Sequence, residues 1–305
     1  MEKKCSKYNP IVLYIRGGLG NQLFQYATAF AYSKINNRDI IINTDGYSGY
    51  IWNKGGGFVL NKILKGLKIE SGAIWTIFFS HGKYVKLFGR ILKKVFWQKG
   101  KMFREKDLFI FDPTLLQNGH YDGLYGSFQS PIYFESYKKE IREMFTLPLY
   151  SKQALEFKKT ISNTESSVAI HYRDYGDLNV GNEEVKKLIG DMSLQYYKKA
   201  ISILNRKIDN PRYFIFSNDI VSAKVKFSDL SNITYFDFKS NYNWEDMALM
   251  KICHHNIICN SSYSWWSAYL NTHPDKIVIA PKSWGNLLKG KENQADLFPN
   301  NWELI

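Results

Sequence analysis

Four short stretches carry residue types able to do chemistry. In "IHYRDYGD" (170–177), His171 and Arg173 follow an apolar run, two residues apart, so both point to one side of a strand end. An arginine there can grip a phosphate bidentately. In "CNSSYSWWSAYL" (259–270), Ser261, Ser262 and Ser264 open a helical pattern. Hydroxyls and free N–H groups at a helix start suit an anion, although Ser261 or Ser262 could equally be a plain N-cap. In "FIFSNDI" (214–220), Asn218 and Asp219 follow a strand pattern and could read a base edge or hold ribose hydroxyls; a cap for the next helix is the competing reading. In "IRGGLGNQLFQYATAF" (15–30), Gly18, Gly20, Asn21 and Gln22 lie between an apolar strand and an amphipathic helix, where glycine allows close backbone approach and the amides offer donors.

Missing patterns narrow the chemistry. The chain contains no Asp-x-Asp pair, no phosphate-binding Gly-x-x-x-x-Gly-Lys-Ser/Thr and no paired Cys/His metal spacing. Cys253, His254, His255 and Cys259 are close in sequence but flank an apolar strand, which argues against a metal site. A diphosphate would therefore be neutralised by arginine and helix-terminal N–H groups, with Arg173 the candidate, and no metal or other cofactor is expected.

The elements that must position these groups follow from periodicity. A strand at Ile11–Ile15, a helix from about Gln22 to Ser33 and a strand at 39–43 form one βαβ unit. From about residue 151, strands at 166–172, 212–217, 233–238, 256–260 and 276–280 alternate with helices at 193–206, 220–229, 244–252 and 263–271. That rhythm is a doubly wound parallel sheet, whose ligands sit at the carboxyl ends of strands. We expect two Rossmann-like domains facing across a cleft, 1–150 and 151–305, divided near Leu147–Ser151.

The formal charge is +13, concentrated in Lys62 to Lys106, where twelve lysines and arginines meet only Glu70 and Glu105. This basic helical insertion includes an amphipathic helix at 83–97, read either as a surface helix with a solvated basic face or as a dock for an anionic membrane. A non-catalytic basic binding module for RNA or anionic lipid is the rival class of function. Three cysteines without framework spacing fit a reducing compartment. The opening residues hold too few apolar positions for a signal sequence and no run approaches a membrane span, so a cytoplasmic location is expected.

The blocks "GGLGNQLFQYA", His-x-Arg in "HYRDYGD", "FSND", "NSSYSWW", "VIAPKSW" and "PNNWELI" stand in this order along nearly the whole chain. In this the sequence resembles the bacterial α-1,2-fucosyltransferases. The resemblance implies a glycosyltransferase-B type fold and metal-independent, inverting transfer of L-fucose from GDP-β-L-fucose to the 2-hydroxyl of a terminal β-galactose. It further implies surface-polysaccharide synthesis (O-antigen or capsule) on a lipid-linked acceptor at the inner face of the inner membrane, with no nucleic acid partner. Transfer of another GDP-sugar is the alternative.

By the same resemblance Arg173 would hold the β-phosphate, His171 would lie near the nucleotide, Asn218 or Asp219 would contact guanine or ribose, and Ser261, Ser262 and Ser264 would bind the diphosphate. The turn with Gly18, Gly20, Asn21 and Gln22 would serve the sugar or acceptor side, Asn21 with Arg173 forming the catalytic pair. The family pattern His-x-Arg-Arg-Gly-Asp is broken here: Asp174 replaces the second arginine, and Gly176-Asp177 comes one residue late. A general base is not fixed by spacing; Asp45, Asp122, Asp177 and Glu183 are the carboxylates available.

Overall fold

The structure, a computed structural model, describes residues 10–47, 57–70, 101–117, 120–175, 190–285 and 294–305. The helix expected at 83–97, Asp177 and Glu183 lie outside the described residues. The chain divides into two compact units, Met1–Met144 with Ala295–Phe298, and Phe145–Gln294 with Pro299–Ile305. Each contains one parallel sheet, so the two Rossmann-like α/β units expected from the sequence are present.

In the first unit, β1 (Ile11–Tyr14), β2 (Ile40–Asn43), β3 (Ile69–Glu70), β4 (Met102–Arg104) and β5 (Gly123–Tyr125) pair in the order β3-β2-β1-β5-β4. The chain leaves β1 toward β2 and β3, then returns on the other side through β4 and β5. The loops after β1 and β5 thus lie at a topological switch point, where the two directions of winding part.

Helix α1 (Leu19–Asn36) begins earlier than the Gln22 start read from the sequence. Gly18 takes the extended cap conformation, and its carbonyl accepts from the N–H groups of both Asn21 and Gln22, drawing Gly20 and Asn21 into the first turn. Gly17 is the glycine the turn requires: its φ is +80°, and a Cβ there would stand 2.6 Å from Asn21 Nδ2. A short helix α2 (Lys138–Met144) ends the N-terminal stretch of the unit.

In the second unit, α3 (Lys152–Ser162) precedes β6 (Ser167–Tyr172), α4 (Leu194–Lys207), β7 (Arg212–Ser217), α5 (Ile220–Lys226) and β8 (Ile233–Tyr235). Then follow α6 (Glu245–Ile252), β9 (His255–Ile257), α7 (Ser262–Leu270), β10 (Val278–Ala280) and β11 (Glu303–Leu304). The strand order is β11-β10-β9-β6-β7-β8, all parallel. Strand β6, buried at every residue, is central because both its faces are apolar. Val168, Ile170 and Tyr172 pack on α4, while Ala169 joins the opposite core with Ile161 of α3 and Leu249 of α6.

Side-chain caps fix the helix starts. Ser151, Ser193, Asp219 and Ser261 each accept a backbone N–H in the first turn of α3, α4, α5 and α7. The segment before α3 is tied in by Glu245, buried at the start of α6. Its carboxylate accepts from Tyr150 N, Ser151 N and the hydroxyls of Ser151 and Ser240. Burial raises this carboxyl, but those bonds outweigh it and hold it below the ordinary range.

Candidate active site

The switch point of the second sheet lies between β6 and β9, and the loops leaving those strands carry Arg173 and Asn260–Ser262. Arg173 is half-buried, its guanidinium 5.5 Å from the centroid of the Tyr175 ring. Its Nε is buried and has no hydrogen-bond partner among the described residues. Buried polar atoms are ordinarily paired, so this donor fits a partner from outside the chain.

His171 is 5% exposed, its ring centroid 5.7 Å from that of Tyr263. Its carbonyl accepts from the Tyr197 hydroxyl at 3.0 Å, and its Nδ1 lies 3.1 Å from Cys259 Sγ. Burial first, and the nearby Arg173 charge second, push the imidazole down to about 3, so the ring is neutral at physiological pH. Burial likewise pushes the Cys259 thiol up to about 12.

The serine block divides. Ser261 caps α7, accepting from Tyr263 N, and Ser262 occupies the first helical position; both are half-buried. Ser264 is a correction: it is fully buried, and its hydroxyl faces Ser261 O (3.1 Å) and Cys259 O (3.3 Å), so it has no access to a diphosphate. Tyr175 closes this side, donating from its hydroxyl to Asn260 O.

The loop after β7 is built around Asn218. Its Oδ1 accepts from Asp174 N and its Nδ2 donates to Asp174 O, so one amide joins the two strand-end loops. Asp219 is turned inward as the α5 cap, its Oδ1 accepting from Ser222 N, which engages the carboxylate proposed for guanine or ribose. Asp174 has the Tyr172 hydroxyl 3.4 Å from its Oδ2. Lys226, lying over the Tyr172 ring, is held above the usual lysine range by Tyr172 and by the charges of Asp174 and Asp191, against the downward pull of burial.

Asp246, in the first turn of α6, is a residue the sequence reading passed over. Burial and the adjacent Glu245 push its carboxyl up to about 7, and it acts on Tyr263, the tyrosine beside His171. The signal was the acidic pair in "NWEDMALM", which reads as ordinary helix-start charge.

In the first unit the polar groups at the switch point hold one another. Gln22 is fully buried, and its Nε2 donates to Gly17 O and Gly57 O while its Oε1 accepts from Val59 N and Leu60 N. The sugar contact expected of Gln22 is therefore corrected, because neither amide hydrogen remains for a ligand. Asn21 Oδ1 accepts from Gln129 Nε2 at 2.9 Å, linking the loop after β1 to that after β5. Glu105 accepts from Ser127 N and Phe128 N, and Arg16 donates to the Tyr125 hydroxyl. Of the possible bases, Asp122 pairs with Arg38 at the start of β5, the opposite edge of the sheet from the switch point, and Asp45 is buried against Asn43.

The members of the His/Cys group take different partners. Cys259 meets His171, His254 Nδ1 lies 2.8 Å from Ser167 Oγ, and His255 Nδ1 accepts from Ile277 N. Among the described residues no group of three His, Cys, Asp or Glu could hold a metal ion, and no helix is long and apolar enough to cross a membrane.

Residues 116–305 match the glycosyl transferase family 11 profile. An Escherichia coli protein named alpha-1,2-colitosyltransferase is 31% identical over 303 residues, covering 97% of this chain and 98% of that protein. The E. coli O-antigen biosynthesis glycosyltransferase WbnK is 29% identical, with 94% and 98% covered. Human galactoside alpha-(1,2)-fucosyltransferase 1 is 22% identical over 85% of this chain and 64% of its own length. With a family match over more than half its length and a relative above 30% identity across almost all of it, the chain belongs to glycosyl transferase family 11.

Proposed function

We propose that the protein is a galactoside α-1,2-fucosyltransferase, moving L-fucose from GDP-β-L-fucose to the 2-hydroxyl of a terminal β-galactose with inversion. The observation that carries the donor half is Arg173: a half-buried guanidinium at the switch point of the second sheet whose buried Nε has no partner among the described residues. The linkage rests on the relatives, two of which bear α-1,2-transferase names.

In this mechanism the acceptor oxygen attacks the anomeric carbon as the bond from that carbon to the β-phosphate oxygen breaks. GDP leaves with the electron pair, and the hydroxyl proton passes to solvent or a carboxylate. Arg173 and the N–H groups at the start of α7, with Ser261 and Ser262, stabilise the charge that develops on the leaving diphosphate. His171 lies at the nucleotide, Asn218 stands at the loop that flanks it, and the reaction needs no metal. Gly18, Gly20 and Asn21 are the part of the first unit assigned to the sugar or acceptor.

The test is calorimetric titration of GDP and GDP-fucose into wild type and Arg173→Ala with EDTA present, followed by NMR of the product linkage. Metal-free binding that the variant loses supports the reading; wild type that binds neither ligand overturns it. A second donor is favoured by the colitosyltransferase relative, since colitose is L-fucose without its 3-hydroxyl. Parallel turnover of the two GDP-sugars separates them.

The same proposal puts the reaction in O-antigen or capsule assembly at the cytoplasmic face of the inner membrane, on a lipid-linked acceptor. The segment 83–97 would contact anionic lipid. Vesicle sedimentation unchanged by neutralising Lys86, Arg90, Lys93 and Lys94 removes that contact.

A further inference from the structure

We propose that Cys259 is a positioning residue of the donor site, its S–H bonded to His171 Nδ1 so that the imidazole is fixed as the Nε2–H tautomer and presents that hydrogen to the nucleotide sugar. The inference rests on the donor reading above for the identity of the ligand, but not for the tautomer.

The geometry leaves two arrangements for the pair. Sγ lies 3.1 Å from Nδ1 and 3.6 Å from Ser264 Oγ. If Nδ1 carried the hydrogen, a strong N–H donor would face a thiol sulfur, which accepts weakly, and the S–H would turn to the more distant Ser264. With the S–H on Nδ1, the ring's basic lone pair takes the hydrogen nearest to it. Ser264 gives its own hydrogen to Ser261 O or Cys259 O, so toward Cys259 it offers only an acceptor, 3.6 Å from Sγ against 3.1 Å for Nδ1.

Both groups must be uncharged for this bond, and burial keeps them so, holding the imidazole down and the thiol up. The ring has little freedom to turn, lying against Tyr263 with its own carbonyl held by the Tyr197 hydroxyl. Among the described residues Nδ1 is the ring nitrogen with a hydrogen-bond partner, and Nε2 makes none. Because His171 and Arg173 share one side of the strand, an Nε2–H joins the unsatisfied Arg173 Nε as a second donor for one anionic ligand. The thiol itself is buried and unreactive, so its contribution is the ring's hydrogen placement and nothing nucleophilic.

The experiment is nitrogen-15 NMR of the full chain labelled at histidine, with His171→Gln assigning the resonance, beside GDP titration in EDTA. Wild type is expected to show hydrogen on His171 Nε2. Cys259→Ala is expected to mix the tautomers and weaken GDP about five- to tenfold, while Cys259→Ser restores a donor and brings affinity back to within about twofold. A wild-type spectrum with hydrogen on Nδ1 overturns the proposal without any variant. Unchanged GDP affinity in a folded Cys259→Ala protein, checked by thermal melting, overturns it as well. Wild type that shows the Nε2–H tautomer but binds no GDP refutes the donor reading itself, and with it the ligand assigned here.

Discussion

The two sheets carry loops at equivalent switch points, and the polar groups in those loops are used in opposite ways. In the first unit Gln22, Glu105, Asn21 with Gln129, and Arg16 with Tyr125 hold backbone and one another. In the second, among the described residues, Arg173 has a buried Nε without a partner and His171 Nε2 makes no hydrogen bond. A polar group satisfied by its own chain rigidifies a turn, whereas one left unsatisfied costs free energy unless a ligand completes it. Equivalent topology therefore does not give equivalent chemistry, and the nucleotide is expected where hydrogen-bonding capacity is left over.

The comparison breaks most readily at Arg173. Arg173→Ala is expected to lower kcat/KM about 10²- to 10³-fold, with GDP binding in EDTA lost in parallel. Arg173→Lys should recover little of this, since an ammonium cannot reproduce the planar fork. Full activity in Arg173→Ala would remove the central contrast.

At Gln22 the opposite result is expected. Gln22→Ala leaves the buried N–H groups of Val59 and Leu60 and the half-buried Gly57 carbonyl without this partner, while Gly17 O keeps the Tyr47 hydroxyl, for a loss of about 2–4 kcal/mol in stability by denaturant melting. GDP affinity should stay within about twofold. A fall in donor affinity without a fall in stability would move the ligand into the first unit.

A smaller effect concerns Asp246, whose carboxyl is pushed up to about 7 by burial and by the adjacent Glu245. Its neutral form prevails below that pH and its charged form above, so affinity for an anionic donor should fall by about threefold as pH rises from 6 to 8. Asp246→Asn should flatten that profile. As a stability contribution the sign is the same: the folded value lies above the unfolded one, so stabilisation by the protonated acid is lost as pH rises through about 7.

The smallest effect tests how the chain tolerates Asp174. Lys226→Met should weaken GDP by about two- to threefold by exposing the ligand to the Asp174 charge, and Asp174→Asn in the same chain should restore it. No rescue would mean that Lys226 acts independently of Asp174.

Much of the second sheet was legible because its strands are short apolar runs set between amphipathic helices, a pattern written in local residues. Strand β7 falls where the sequence placed it, and β6 within a residue. Helix α1 was read as starting too late, because Gly20 and Asn21 look like turn residues and their helical state depends on the Gly18 cap. The site was legible in part. His171 and Arg173 stand out by type and spacing, but Gln22 and Ser264 carry the same polar signal and are internal braces. Cys259 was weighed only as a metal ligand and set aside, and Asp246 was passed over, since a cysteine beside an apolar strand and a helix-start acid ordinarily mean packing and capping.

The sequence by itself determined the family, the two parallel α/β sheets and the arginine at the end of β6, because these follow from ordered motifs and from hydrophobic periodicity. Only the tertiary structure decided which polar side chains are used up by the chain. Gln22 makes three of its four bonds with residues 35 to 38 positions away, and Cys259 meets His171 across 88 residues. Hydrogen-bond satisfaction is a property of distant groups brought together, and no local spacing encodes it.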